Sequence, residues 1–197
     1  MITRFLRPLL PASLLALVCV AGIATPARAG EGFISPLIGF DFSGDANCPS
    51  ITGCTDKRLN LGVALGVTGS VFGFEEEFAF AQDFFGTAPN LKSSVLTLMT
   101  NAMLAPKVGP VRPYALAGVG LIKTHVELTP TSLLTSDNDN LGWDIGGGLM
   151  VAVAPHVSLR GDIRYFHSFQ NLGVLGFAVN NSKLDFGRAA AAVNFTF

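Results

Sequence analysis

Apolar and polar residues alternate along most of the chain beyond residue 30. Eight such segments, rich in Val, Leu, Phe and Ala, are each as long as the ~9 to 11 residues that a tilted membrane-spanning strand needs. The pattern predicts an all-β fold, an eight-stranded antiparallel up-and-down transmembrane β-barrel. The predicted strands run from 33 to 42, 58 to 70, 73 to 84, 93 to 105, 112 to 124, 141 to 153, 157 to 169 and 184 to 197.

The connections between these strands alternate between long and short. The long ones are polar or rich in glycine, and they contain Cys48 to Cys54, Gly86 to Asn90, residues 129 to 140 and residues 170 to 183. The short ones lie at 71 to 72, 106 to 111 and 154 to 156. Bacterial barrels carry long loops outside the cell and short turns in the periplasm. We therefore expect both ends of the mature chain on the periplasmic side.

Alternate residues of a barrel strand face lipid and lumen. In the seventh strand, Leu159, Ile163 and Tyr165 fall on one face while Arg160 and Arg164 fall on the other. The last strand divides in the same way. Glu76 is the exception, because parity places it on the apolar face of the third strand. Either it lies near the periplasmic end, where a charge costs little, or a bulge shifts the local register.

The inward charges are expected to form an interior network, because the lumen of eight strands is just wide enough for side chains to fill. Unpaired buried ions are strongly destabilising, which favours a structural polar core over a gated ion path. Glu77 and Arg160, counted from the rim, are expected at similar heights. The predicted network comprises Glu75, Glu77, Asp144, Arg160, Asp162, Arg164 and Arg188, with Asp83 and Asp185 as further inward charges.

Aromatic residues gather near the predicted strand ends, as in the interfacial girdles of membrane barrels. One set marks the periplasmic rim and the other the outer rim. The first comprises Phe72, Phe74, Tyr114, Phe195 and Phe197, and the second Phe40, Phe42, Phe84, Phe85, Trp143 and Phe169.

Composition supports a membrane barrel. Only 14% of residues are charged and the mean hydropathy is +0.47, whereas soluble domains carry about 25% charged residues. A soluble lipocalin-like barrel, the other eight-stranded alternative, would need a polar exterior that so few charges cannot supply. The net charge of −1 gives no indication of nucleic acid as a partner.

Residues 1 to 29 read as an export signal that is removed. Arg4 and Arg7 precede an apolar stretch from Leu9 to Ile23, and the small residues Ala27 and Ala29 mark cleavage after position 29. The mature domain is then 30 to 197. Lipid attachment at Cys19 is disfavoured, because Val18 stands where a small residue is needed.

Two cysteines remain after processing, Cys48 and Cys54, close together in a polar loop. In an oxidising compartment this arrangement favours a disulfide. The alternative is a metal pair, but no histidine or further cysteine stands nearby to complete a tetrahedral site. We expect no metal and no cofactor.

Four segments carry a resemblance to a known family: RPYALAGVGL (112 to 121), GWDIGGGLMVAV (142 to 153), LRGDIRYFHSF (159 to 169) and DFGRAAAAVNFTF (185 to 197). They resemble the small outer-membrane β-barrels, which include opacity-type surface proteins and the membrane domains of OmpA-like proteins. The resemblance implies an outer-membrane location, contact with its lipid, and a terminal signal at Phe195 and Phe197 for the barrel-assembly machinery. It implies an activity only weakly, because such barrels serve as anchors, adhesins, immune-evasion factors and minor channels.

The expected function is that of a non-enzymatic surface protein whose exposed loops bind an unidentified extracellular partner. The first alternative is a minor porin-like channel. The second is a barrel enzyme that modifies lipid A, which in the deacylase type needs an outward-facing His and Ser two residues apart. Here His167 and Ser168 are adjacent and should face opposite sides of the strand.

Overall fold

The computed structural model describes residues 30–44, 46, 58–87, 91–128, 134–174 and 177–197. The predicted export signal, Cys48 and Cys54 lie outside these ranges. Within them, no helix is long and apolar enough to cross a membrane. The strands are β1 (Glu31–Phe42), β2 (Leu59–Thr68), β3 (Phe72–Gln82), β4 (Leu91–Leu104), β5 (Val111–Leu128), β6 (Leu134–Ala154), β7 (Val157–Val174) and β8 (Phe177–Thr196).

The eight strands form one closed barrel in chain order, and each pairs antiparallel with its neighbours. Pairing of β1 with β8 closes the sheet, so no strand edge is left along the paired length. Beyond the last strand pairs, Gly32 and Phe197 exchange backbone hydrogen bonds of 3.1 and 2.9 Å. The predicted fold class is confirmed, and both ends of the described chain lie at the same end of the barrel.

Tight turns join the strands at this terminal end. Between β2 and β3, the Gly69 amide donates to the Phe72 carbonyl at 2.7 Å. Between β4 and β5, Gly109 has a φ of +61°, a backbone conformation that glycine adopts without the penalty a Cβ would bring. The turn after β6 is preceded by a register shift between Ala152 and Ala154. These short turns agree with the short connections predicted from the sequence.

Two of the four hairpin connections at the opposite end differ from prediction in how much of the chain is strand. Residues 134–140 belong to β6, and residues 170–174 and 177–183 belong to β7 and β8, although they were predicted as loop. In the first case the pairing of Leu91 with Leu128 and of Leu128 with Leu134 continues a three-stranded ladder. The ladder satisfies backbone hydrogen bonds, which outweighs the turn-like composition of the segment.

Side-chain parity holds along the strands. Inward and outward residues alternate in β1, β3 and β7 as predicted. Glu76 does face outward, and the pairing of β3 with both neighbours continues past it without a shift, so no bulge is present. The inward orientation predicted for two charged residues is wrong. Asp185 faces outward, one residue out of phase with Arg188, and Asp83 lies beyond β3 in a turn with a φ of +55°.

The lumen is filled in three layers. The terminal layer is apolar, a belt of charged side chains lies above it, and the hairpin layer is again apolar. The terminal layer comprises Phe33, Ala64, Met103, Ala105, Tyr114, Leu116 and Met150. The hairpin layer comprises Ala46, Ala81, Phe84, Val95, Met99, Ile122, Phe166, Leu184 and Phe186.

Three aromatic residues predicted for the lipid-facing girdles therefore lie elsewhere. Tyr114 and Phe84 are buried in the lumen, and Phe85 packs against the hairpin layer. Tyr114 faces the lumen because it lies between outward-facing Pro113 and Ala115 on β5. Phe84 lies two residues beyond the end of β3, where the alternation no longer applies. The other predicted rim residues, Trp143 excepted, are exposed: Phe40, Phe42, Phe72, Phe74, Phe169, Phe195 and Phe197.

Replacement of Gly148 by alanine should destabilise the barrel. A Cβ there would lie 2.2 Å from the Gly161 carbonyl oxygen and 2.7 Å from the Tyr114 hydroxyl, so backbone and a network side chain would both have to shift. Overpacking of this kind costs about 1 to 3 kcal/mol. The matched control is Gly161→Ala, whose Cβ would meet its nearest atom at 3.9 Å. Urea unfolding in detergent micelles should separate the two, and equal midpoints would contradict this account.

Candidate functional site

The charged belt lies between the two apolar layers. Among the described residues, eight acidic or basic side chains are buried, five carboxylates and three guanidiniums. Seven of them are the residues of the predicted network, and the eighth, Asp41, was not predicted. The belt consists of Asp41, Glu75, Glu77, Asp144, Arg160, Asp162, Arg164 and Arg188.

Arg164 is the centre of the belt. Its Nη2 lies 2.9 Å from Glu75 Oε1, 2.9 Å from Glu77 Oε2 and 3.1 Å from Asp162 Oδ2. The guanidinium is thus surrounded by carboxylates from β3, across the lumen, and from its own strand β7. A buried charge requires such compensation, because removal from water costs several kcal/mol per ion.

Arg160 forms the part of the belt nearest the terminal layer. Its Nη1 donates to Glu75, its Nη2 lies 3.0 Å from an Asp162 carboxylate oxygen, and its Nε donates to the Tyr114 hydroxyl at 2.8 Å. That hydroxyl in turn donates to Asp162 at 2.6 Å. Tyr114 thus contributes an apolar ring to the terminal layer and a polar group to the belt.

Arg188 occupies the part nearest the hairpin layer. Its Nε donates to Asp41 at 2.7 Å, and its guanidinium carbon lies 4.6 Å from the centre of the Phe166 ring. Asp41 and Arg188 are also register partners in the β1–β8 ladder. This ion pair therefore joins the two strands whose pairing closes the barrel.

Glu77 neutralises two arginines that the register of β7 and β8 places opposite each other. Arg164 and Arg188 are directly opposite each other on β7 and β8, and like charges in that position are destabilising. Glu77 approaches both from across the lumen, with one carboxylate oxygen 2.9 Å from Arg164 and the other 3.1 Å from Arg188. One carboxylate thus bridges two opposed cations.

Asp144 is held more weakly than the other carboxylates. Its distance to Arg164 Nη1 is 3.8 Å. The amide of Asn101, assigned with its nitrogen toward Asp144, donates to the two carboxylate oxygens at 2.7 and 3.2 Å. With five carboxylates for three guanidiniums, this one depends mainly on a neutral donor.

All eight strands contribute to this arrangement. Charged groups come from β1, β3, β6, β7 and β8, and neutral partners come from β2, β4 and β5. The neutral partners include Asn60, which donates to Asp41 at 3.2 Å, and Thr97, which accepts from Arg188 at 3.2 Å, in addition to Asn101 and Tyr114. The belt therefore links the whole circumference of the barrel.

Glu77 and Arg160, which were expected at similar heights, are not ion-pair partners. Arg160 contacts Glu75, and Glu77 contacts Arg164 and Arg188. Strands in a barrel are tilted and staggered, so an equal count of residues from the rim does not give an equal height. Asp41 was missed although its inward parity in β1 was available as a signal. Tyr114 was missed because it was assigned to the girdle.

The charged groups of the belt neutralise one another. Its carboxylates are occupied by guanidinium, amide and hydroxyl donors. In the part of the chain that the structure describes, no three His, Cys, Asp or Glu side chains are arranged to hold a metal ion. The arrangement therefore supports a structural role.

His167 and Ser168 face opposite sides of β7, as expected from their adjacency. Ser168 is buried, and its hydroxyl accepts from the Leu184 amide at 2.9 Å and donates to the Gln170 carbonyl at 2.8 Å. His167 faces outward beside the rings of Trp143 and Tyr165, with centroid distances of 5.7 and 6.3 Å. The two side chains are thus not combined in one site.

Phe195 and Phe197 both face outward, at the terminal end of β8 and just beyond it. The Phe197 ring lies against Gly32, where a Cβ would approach it to 2.7 Å. Both aromatic side chains are exposed, which recognition by another protein would require. Their role as an assembly signal stays a prediction.

Glu77→Gln should lower the free energy of unfolding by about 3 to 5 kcal/mol, because it leaves two opposed buried arginines without their shared carboxylate. The matched control is Asp144→Asn, which keeps the volume and can keep a hydrogen bond to Asn101. We expect this control to change stability by less than about 1 kcal/mol. Unfolding can be followed by fluorescence of the single tryptophan. Equal losses in the two variants would contradict the bridging role of Glu77.

A profile described as the outer membrane protein beta-barrel domain matches residues 14–197. No curated protein sequence matches the chain.

Several solved structures share the fold. Neisserial surface protein A superposes with a TM-score of 0.64 at 18% identity, over 84% of this chain and 97% of that one. OprG from Pseudomonas aeruginosa gives 0.56 at 15% identity, over 86% and 96%. Ail, the attachment invasion locus protein of Yersinia pestis, gives 0.54 at 14% identity, over 86% and 100%.

At these identities the structures support the barrel fold alone, while the profile covers nearly the whole chain. Together with the closed eight-stranded sheet, its apolar exterior and its charged interior, it places the protein in the bacterial outer membrane. The chain belongs to the outer membrane protein β-barrel domain family.

Proposed function

We propose that this protein is a non-enzymatic surface protein, in which the barrel serves as a membrane anchor and the hairpin end carries the interaction with an extracellular partner. The observation that carries the proposal is the three-layer filling of the lumen. A charged belt between two apolar layers favours an anchor, because an ion would have to cross both apolar layers and displace paired charges in between.

The hairpin end offers the surface for such an interaction. Pairing of β6 with β7 ends its continuous run at Gly142 and Ser168. Beyond that level β6 continues to Leu134 alongside β5, while β7 and β8 continue as a second ribbon with an irregular register. Recognition residues are commonly placed on loops that a rigid scaffold holds. These two ribbons are no longer paired with each other, and they lead to the loops of the hairpin end.

Planar-bilayer recordings test the proposal against a minor channel. The refolded protein should produce no stable current steps, since an eight-stranded barrel interior is filled by side chains. A general porin in the same bilayer serves as the positive control, and the altered gel mobility of the unheated protein verifies folding. Reproducible steps that scale with salt concentration would overturn the anchor proposal in favour of a channel.

Protease treatment of intact cells tests the orientation. Cleavage should occur in the hairpin connections at residues 45–57, 88–90, 129–133 and 175–176. The turns at 69–71, 105–110 and 155–156 should be cut only after the outer membrane is permeabilised. The reverse pattern would place the terminal end outside the cell. The hairpin ribbons would then not be exposed on the cell surface, which would contradict the proposal.

A further inference from the structure

A cavity of about 310 Å³ opens at the terminal end of the barrel. The β4–β5 turn and the β6–β7 turn border it, together with the start of β1 and the end of β8. Met150, which belongs to the terminal layer, is the deepest of its lining residues on β6. The terminal layer separates this cavity from the charged belt, so the belt does not account for the polar groups at the mouth.

Arg112 is the cation that reaches into this cavity. Only 13% of its side-chain surface is exposed. A guanidinium carries five N–H donors, and among the residues that the structure describes Arg112 makes one hydrogen bond, from Nη1 to the Thr68 hydroxyl at 2.5 Å. The Glu31 carboxylate lies 3.8 Å from Nη2, which is beyond hydrogen-bond distance. The remaining donors of Arg112 suit a second carboxylate, which can accept two parallel bonds.

The charges around the cavity favour an anion. Among its described lining residues, Lys107, Arg112 and His156 are basic and Glu31 is the one acidic side chain. The Glu31 side chain is 54% exposed, and an exposed ion pair of this kind contributes little free energy. A bound carboxylate can therefore compete with Glu31 for Arg112.

Asn194 gives a second, independent indication of a ligand. It lines the same cavity, it is 3% exposed, and its Oδ1 has no hydrogen-bond partner among the described residues. Buried polar atoms are nearly always paired. A half-turn of the side-chain amide presents this oxygen to the cavity without a change of volume, where an N–H donor of a bound molecule would satisfy it.

The side chain of Arg112 crosses the mouth toward Asn194. Arg112 begins on β5, but its guanidinium contacts Thr68 on β2 and lies near Glu31 on β1. Strand β1 is the neighbour of β8, which carries Asn194. The spare donors and the unpaired acceptor therefore lie toward the same side of the barrel mouth.

Apolar side chains form the rest of the walls, among them Val111, Met150 and Val157. A molecule that fits this cavity combines a carboxylate, an N–H donor close to it and a short apolar group. The last residue of a peptide has all three, in its α-carboxylate, its amide N–H and its side chain.

We propose that this cavity binds the carboxyl-terminal residue of a peptide. Arg112 donates to the α-carboxylate, and Asn194 Oδ1 accepts from the amide N–H of the same residue. The apolar side chain of the ligand packs against Met150 and Val157. The site lies at the opposite end of the barrel from the hairpin surface, so it does not depend on the interaction proposed there.

Methyl NMR of the refolded protein in micelles tests the site with N-acetyl-leucine as the probe. Methionine methyl groups labelled with ¹³C report on both ends of the lumen. The Met150 signal should shift and saturate during the titration. The signal of Met99, which lies in the hairpin layer, should stay unchanged and is the internal control for an effect of the probe on the micelle.

Two ligands matched to the probe separate its groups. N-acetyl-leucine amide lacks the carboxylate and should bind at least about tenfold more weakly, because charged hydrogen bonds are the stronger ones. The second ligand, 4-methylpentanoate, keeps the carboxylate and the side chain but lacks the amide N–H. It should bind about fivefold more weakly, and in Asn194→Ala this difference should disappear.

Two substitutions at the mouth should change the affinity for N-acetyl-leucine in opposite directions. Arg112→Gln should weaken binding at least about tenfold. Glu31→Gln should tighten it about two- to fivefold, because it removes the competing carboxylate. The control is Lys123→Gln on β5, where an exposed cation is removed far from the cavity. Gel mobility without heating verifies that each variant is folded.

Four outcomes would overturn the proposal. A Met150 signal that does not move, or that moves together with Met99, would show that the cavity does not bind the probe. Equal binding of N-acetyl-leucine and its amide would show that Arg112 does not hold a carboxylate. Unchanged affinity in both Arg112→Gln and Glu31→Gln would contradict the assigned roles. Inorganic phosphate that binds as tightly as N-acetyl-leucine would make the cavity a general anion site.

Discussion

The structure depends on neutralising Arg164 and its two neighbouring arginines inside the barrel. Each guanidinium is buried in a compartment closed by apolar layers, so carboxylates within the lumen must replace the water that solvated it. Because the arginines lie on adjacent strands β7 and β8 and two of the carboxylates on β3, compensation has to cross the lumen. A barrel of this width makes such contacts reachable.

The charges that stabilise the barrel lie apart from the hairpin end, where we propose that the interaction with a partner takes place. The belt uses its donors and acceptors on one another, which leaves the interior with little chemistry to offer a ligand. At the hairpin end, β6 and β7 no longer share a ladder beyond Gly142 and Ser168. Sequence changes at the hairpin tips therefore leave the belt contacts in place. One barrel scaffold can accordingly carry different loop surfaces.

The sequence predicts the strands and their faces well, because a period of two is imposed by membrane on one side and lumen on the other. It also identifies seven of the eight belt residues. The alternation of inward and outward side chains does not apply at Asp83, because β3 has ended before it. At Asp185 and Tyr114 the alternation does apply, but both residues were assigned to the wrong side of the sheet. Which charges pair was beyond the sequence, since that depends on the tilt and stagger of the strands. Strand length was underestimated because ladder hydrogen bonding, a tertiary property, overrides the turn-like composition of residues 134–140.

The belt also fixes the register at the seam. A shift of β8 by one residue against β1 would turn Arg188 toward lipid, which is costly for arginine and most costly at the bilayer midplane. A shift by two would keep its face but would place Ala190 or Phe186 opposite Asp41 and break the 2.7 Å ion pair. Alanines at 189 to 192 provide little side-chain specificity of their own on that strand. The charge pair therefore selects one closure among those that the apolar pattern alone would accept.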